Sequence, residues 1–281
     1  PSGFQANLAA VSVLANRNTP IIADKLIHHS LLIGIKASGA KVKRFAHNNI
    51  DDLERLLKIC LKQQPDKTPL VITESLFSME GTSPNLHKIA ALCKKHQALL
   101  LVDEAHALGI MGSQGRGLCY DVAEPITMIS GTFGKAFGSG GAFLATNNYF
   151  GEYLIQTSGA FRYTTALAPP LAAAALEGLN LIKANPDWGI QLQKEAHVWR
   201  SSLAKEGWSY PQGDGPIIPI ILGTDEESIR KQIHLEENGL LTVAIRPPTV
   251  PEGTSRLRIV VRKDLPEETL HKLLLHLGQQ R

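Results

Sequence analysis

Leu99-Leu100-Leu101-Val102-Asp103-Glu104-Ala105-His106 and Thr127-Met128-Ile129-Ser130-Gly131-Thr132-Phe133-Gly134-Lys135 decide how this chain reads. In each stretch a short run with the character of a buried strand ends on polar residues. An acid, an imidazole and a lysine are thereby delivered to strand ends. In open α/β sheets that edge is where ligands bind.

Outward from these stretches, strands and helices alternate. Helices are predicted at 5–16, 29–37, 50–61, 86–95 and 170–184. Strands are predicted at 20–23, 41–45, 70–73, 99–102, 127–130 and 141–145. Ile50, Leu53, Leu56, Leu57 and Cys60 recur at helical spacing, whereas Leu70-Val71-Ile72-Thr73 is a continuous apolar strand. This rhythm predicts a mostly parallel central sheet with helices on both faces. Asn185-Pro186 breaks it. Beyond lie helices at 190–203, 226–238 and 266–277, and strands at 216–222, 241–245 and 256–261. That is an α+β pattern. The expected division is a large domain over 1–185 and a smaller C-terminal domain over 186–281.

The chemistry-bearing residues fall on the large-domain strand ends. A lysine among small residues, as Lys135 is, can reach a carbonyl compound. A carboxylate such as Asp103 can keep a pyridine nitrogen protonated, so that the ring accepts electrons. Together they are the equipment of a pyridoxal 5'-phosphate (PLP) site. Each has a plainer reading, Lys135 as a surface lysine and Asp103 as a strand cap. Their joint occurrence, each after its own strand, favours the functional one. Thr132, three residues before Lys135, can bind phosphate. Ser2-Gly3-Phe4 opens a helix, whose free N–H groups suit an anion, although Ser2 can equally act as an ordinary N-cap. His28 can stack on a planar ring, and His28 and His106 can carry protons. Ser78 can reach a ring oxygen. Arg246, before a proline-rich loop, and Arg258, on the same strand face as Arg256, can clamp a carboxylate.

Asp-Glu-Ala-His also occurs in nucleotide motors. Those need a phosphate loop of the form Gly-x-x-x-x-Gly-Lys-Ser/Thr ahead of it. Here Gly134-Lys135 comes after the acidic box, is followed by Ala136, and has Ile129 where the first glycine belongs. The motor reading is set aside.

Composition is that of a globular protein: 281 residues, 43% hydrophobic, 20% charged, net charge +3 from 29 basic and 26 acidic residues. The scattered charge asks for neither nucleic acid nor a membrane surface. Three cysteines without C-x-x-C spacing argue against a disulfide framework or a zinc site, and fit a reducing cytoplasm. No metal is expected.

Ser2-Gly3-Phe4-Gln5-Ala6-Asn7, residues 74–81 and 103–109, Gly115-Arg116-Gly117 and residues 132–138 together resemble the α-oxoamine synthase family of fold-type I PLP enzymes. The loop Ala244-Ile245-Arg246-Pro247-Pro248-Thr249-Val250-Pro251, with Phe45-Ala46-His47-Asn48, is most similar to the biotin-pathway branch. The resemblance implies a homodimer with its active site at the subunit interface. It implies that Lys135 carries the cofactor, Asp103 pairs with its ring nitrogen, and His28 stacks on it. Ser78 and His106 would contact its oxygen side. Gly3, Phe4, Thr132 and Thr164 or Thr165 would hold it, the last from a neighbouring subunit. Arg258 would bind the amino acid's carboxylate, with Thr249, Arg246 and His28 near the substrates. The implied reaction joins L-alanine to a pimeloyl thioester, of CoA or of a carrier protein, with loss of CO2. Sister synthases that take glycine or serine, or a non-catalytic partner subunit, are the alternatives. Family members carry a sizeable segment ahead of Ser2-Gly3-Phe4, so the chain is expected to be a fragment.

Overall fold

The computed structural model describes residues 1–279. The chain divides into two compact units, residues 1–77 with 83–187, and residues 78–82 with those from 188 onward.

The first unit is built on a six-stranded sheet, β1 (Ile21–Asp24), β2 (Val42–Phe45), β3 (Leu70–Glu74), β4 (Leu99–Asp103), β5 (Met128–Thr132) and β6 (Ala142–Thr146). Its order is β2-β1-β3-β4-β5-β6, parallel except for β6. Neighbouring residues of each strand point to opposite faces. Ile21, Ala23, Leu70, Ile72, Leu101 and Met128 therefore pack with α1 (Gly3–Leu14) and α2 (His29–Ser38). Ile22, Val71, Leu100 and Val102 pack with α3 (Ile50–Gln63) and α4 (Leu86–Lys95). Apolar runs without alternation are thus explained: both faces are covered. Each fully buried Leu, Ile or Val contributes about 1.5–3 kcal/mol. From β1 the chain first adds β2 on one side and then β3 on the other. The resulting switch point lies outside the carboxyl ends of β1 and β3, where such sheets open a crevice.

Two helices here are not predicted from the sequence, α5 (Asn148–Thr157) and α6 (Gly159–Arg162); α7 (Pro169–Ala184) follows them. In α5 only Leu154 is buried, so no apolar stripe marks it; Asn147 caps it by accepting from Phe150 N at 3.0 Å.

The second unit holds α8 (Trp188–Lys205), β7 (Ile217–Gly223), α9 (Asp225–Glu237), β8 (Val243–Ile245), β9 (Ser255–Val260) and α10 (Thr269–Leu277). Its antiparallel sheet has the order β7-β9-β8. Ala196, Trp199 and Leu203 of α8, Leu235 of α9 and Leu273 and Leu277 of α10 share one core with Ile218, Ile220, Leu257 and Ile259. The strand expected over 241–245 begins only at Val243, because Leu241 is exposed. No helix among the described residues is long and apolar enough to cross a membrane.

Candidate active site

The carboxyl ends of β1, β3, β4 and β5 lie in register, with Glu74 opposite Asp103 and Asp103 opposite Ser130. A cleft of about 140 Å3 opens there, lined within the first unit by Gly3, Phe4, Asn7, His28, Ser30, Glu74, Asp103, Ala105, His106, Thr132, Gly134 and Lys135. Predicted residues Gly3, Phe4, His28, Asp103, His106, Thr132 and Lys135 are brought together. Thr164 and Thr165 line a different, larger cavity of the same unit. Ser78, Arg246, Thr249 and Arg258 belong to the second unit.

Asp103 is 5% exposed. Its Oδ1 accepts from Ala105 N at 2.9 Å and its Oδ2 from Asn7 Nδ2 at 2.6 Å. A carboxylate has about four lone-pair sites, so two contacts leave capacity for a further donor. Lys135 stands in the turn between β5 and β6, where Gly138 N donates to its carbonyl at 2.9 Å. Its Nζ lies 2.9 Å from His106 Nε2. A protonated lysine only donates, so that imidazole nitrogen accepts.

His28 caps α2, and its backbone N–H donates to Glu74 Oε1 at 2.5 Å, across the β1–β3 switch point. Burial lowers the His28 pKa; Asp103 opposes that and the charge of Lys135 reinforces it. Ser2 does cap α1, accepting from Gln5 N at 3.3 Å. The N–H groups of Gly3 and Phe4 have no partner inside the helix by geometry, and no acid stands in the first turn. A Cβ at Gly3 would lie 3.4 Å from Thr132 Cβ, an ordinary contact that places this helix end beside Thr132. Thr132 Oγ1 donates to Gly141 O at 3.0 Å and accepts from Gly134 N at 3.2 Å, fixing the turn that carries Lys135.

Glu104 does not line the cleft. Its Oε1 accepts from Cys119 N at 2.9 Å, and burial raises its pKa. Gly117 (φ +90°) lies so close that a Cβ there would stand 2.3 Å from Glu104 Oε2. The second acid of the Asp-Glu-Ala-His box thus anchors a loop and does not face the cleft.

Cationic ring nitrogen, carbonyl and phosphate each find a counterpart in this cleft: a buried carboxylate, a lysine and a helix N-terminus. The donor set therefore fits PLP. Asn7, Ser30 and Glu74 complete the cleft and are not singled out by sequence reasoning. Asn7 carries the one available signal, an amide inside an Ala- and Leu-rich helix.

In the second unit, Arg256 and Arg258 do share a face. Arg256 Nη1 donates to Met79 O at 3.1 Å and to Glu80 Oε1 at 3.2 Å. Arg258 Nε donates to Ser78 O at 2.6 Å; burial lowers its pKa, and among the described residues no carboxylate pairs with it. Arg246 and Thr249 are exposed, with Thr249 N donating to Arg246 O at 3.0 Å.

The chain matches the family described as aminotransferase class I and II over residues 1–277. It is 36% identical, over 283 aligned positions, to an 8-amino-7-oxononanoate synthase of Marinobacter nauticus, covering 100% of this chain and 71% of that protein. A solved variant of serine palmitoyltransferase from S. paucimobilis, with a bound PLP–myriocin aldimine, superposes with a TM-score of 0.91 at 28% identity. The match covers 98% of this chain and 69% of that one. An 8-amino-7-oxononanoate synthase from Francisella tularensis gives 0.82 at 31% identity, covering 98% and 78%. The chain spans about two thirds of the length of the curated relatives it matches.

Proposed function

Because the chain belongs to the aminotransferase class I and II family of PLP-dependent enzymes, we propose that it condenses L-alanine with a pimeloyl thioester. The thiol and CO2 leave, and 8-amino-7-oxononanoate forms. The observation that carries this reading is the convergence of Lys135, His106, Asp103 and His28 on one cleft at the α1 N-terminus. The named synthases among its relatives support the choice of substrates.

When bound, PLP supplies a sink for the electrons left behind as a bond to the amino acid's Cα breaks. Lys135 is the residue that attaches it and moves the Cα proton. His106 Nε2, an acceptor 2.9 Å from Nζ, takes a proton from the amine when it must be neutral. Asp103 keeps a proton on the ring nitrogen; at about 4 Å and an effective dielectric of ~20, one such charge contact is worth about 4 kcal/mol. The N–H groups of Gly3 and Phe4, with Thr132, hold the phosphate, and His28 stacks on the ring. Thr164 or Thr165 would add a phosphate contact from a second copy. Arg258, a part-buried guanidinium with no acid beside it among the described residues, binds the amino acid's carboxylate, while Arg246, Thr249 and Ser78 act at the substrates and the ring oxygen.

The working unit is proposed to be a homodimer in the cytoplasm that takes PLP, L-alanine and a pimeloyl thioester, with neither nucleic acid nor a membrane as a partner. Exposed Tyr153, Ile155, Phe161, Leu171, Leu176 and Leu179 on α5–α7 support the dimer. A large domain over 1–185 and a small domain over 186–281 remain the proposed functional division.

Serine palmitoyltransferase likeness favours one second reading, a sister synthase using serine. Thiol release from pimeloyl-CoA with alanine, glycine and serine separates them. Alanine is expected to be fastest; a faster reaction with serine or glycine rules out the alanine assignment.

A further inference from the structure

In the wall of the cleft, Asn7 joins two groups that the proposed chemistry uses separately. It sits on α1 and is 2% exposed. Its Nδ2 donates to Asp103 Oδ2 at 2.6 Å and to Ser30 Oγ at 2.9 Å. Ser30, fully buried in the first turn of α2, has its Oγ 2.7 Å from His28 Nδ1.

Chemistry fixes the direction of each bond. A carboxylate only accepts, so the amide nitrogen and not the oxygen faces Asp103. The same nitrogen faces Ser30 Oγ, which therefore accepts. That leaves the hydroxyl's single proton for His28 Nδ1. Ser30's backbone N–H points at the same ring nitrogen, at 3.2 Å. A nitrogen that meets two donors is an acceptor, so the proton of His28 sits on Nε2. Asn7 Oδ1 is buried without a partner. Such an orphan is costly, so what the position offers is its amide nitrogen.

We infer that Asn7 and Ser30 are positioning residues: Asn7 holds Asp103 in one orientation and, through Ser30, fixes His28 as the tautomer protonated on Nε2. The Asp103 half rests on the PLP reading; the His28 half does not.

The test uses the full chain, with thermal unfolding to check that each variant folds. Nitrogen-15 NMR of the His28 ring, assigned with His28→Gln and recorded without PLP, should show Nδ1 unprotonated in the parent. Ser30→Ala and Asn7→Ala should convert this to a mixture of tautomers. In PLP titrations, Asn7→Ala should bind about tenfold more weakly, the loss expected for one hydrogen bond to a charged group. Asn7→Asp, which sets a second carboxylate beside Asp103, should bind more weakly still. Ser30→Ala leaves the Asp103 contact intact and should lose less affinity than Asn7→Ala. If Asn7→Ala does not fold, Ser30→Ala carries the tautomer test and Asn7→Asp the affinity test. A parent His28 protonated on Nδ1 overturns the inference, as does an Asn7→Ala protein with unchanged tautomer and affinity. A parent that shows the expected tautomer but binds no PLP sinks the cofactor reading and leaves the His28 half standing.

Discussion

Two cavities of the first unit have contents that run opposite to their sizes. The larger, about 570 Å3, is lined mainly by Ala6, Ala9, Phe143, Leu144, Leu154 and Phe161, and among the described residues no Asp, Glu, Lys, Arg or His side chain reaches it. The smaller, about 140 Å3, holds Asp103, Glu74, His28, His106 and Lys135. Parallel strands that end in register deliver polar side chains to one edge, whereas helices packed on a sheet face leave apolar gaps. Chemistry therefore follows the strand ends and not the volume. The sharpest way to break this contrast is to substitute in both. Lys135→Ala should lower thiol release by about 10³-fold or more and abolish covalent retention of PLP, read by mass spectrometry after reduction. Thr165→Val, in the larger cavity, is expected to stay within about tenfold, the cost of one lost hydrogen bond. Equal losses at the two positions would end the distinction.

Asp103→Asn comes next. It keeps the shape and the contact from Ala105 N but removes the charge. A charge contact of about 4 kcal/mol sets an upper bound of about 10³, and a loss of about 10² in kcat is expected. A variant as fast as the parent would reduce the small cleft to a collection of surface residues. Smaller again is Gly117→Ala, which probes how the cleft is held from behind. A Cβ there needs φ +90° and would press on the Glu104 carboxylate at 2.3 Å. Destabilisation of about 1–3 kcal/mol is expected in denaturant unfolding. An unchanged midpoint would mean that Glu104 does not anchor this loop.

What is readable in the sequence follows the same division. Strand ends announce themselves, because a buried strand must be apolar and its last residue need not be; Asp103 and Lys135 are legible for that reason. Helices on the sheet are legible where they bury a stripe, as α3 does with Leu53, Leu57 and Cys60. α5 buries only Leu154 and leaves no such signal. Asn7 and Ser30 escape a reading of the sequence because their role depends on a partner far along the chain: the Asn7–Asp103 bond spans 96 residues. No local pattern encodes that contact, whereas a cap or an amphipathic stripe is written within one turn. Arg258 is legible as a candidate clamp, but its lack of an acidic partner among the described residues is a property of packing alone.

The smallest expected effect concerns pH and sharpens the contrast between the cavities from the side of stability. His28 has its pKa lowered from 6.5, first by burial and then by Lys135, with Asp103 opposing. The unfolded chain therefore binds the proton more readily than the folded one does. Below the ordinary value of 6.5 the unfolded state gains protons first, so stability falls as pH drops from there through the lowered folded value. His28→Gln removes that proton uptake. Its unfolding midpoint should accordingly depend less on pH than the parent's as pH falls below 6.5, as measured by urea titrations at a series of pH values. The larger cavity has no titratable side chain among the described residues, so Thr165→Val should leave the parent's slope intact. A His28→Gln protein with the parent's full slope would locate the titration elsewhere and remove burial of this imidazole as its cause.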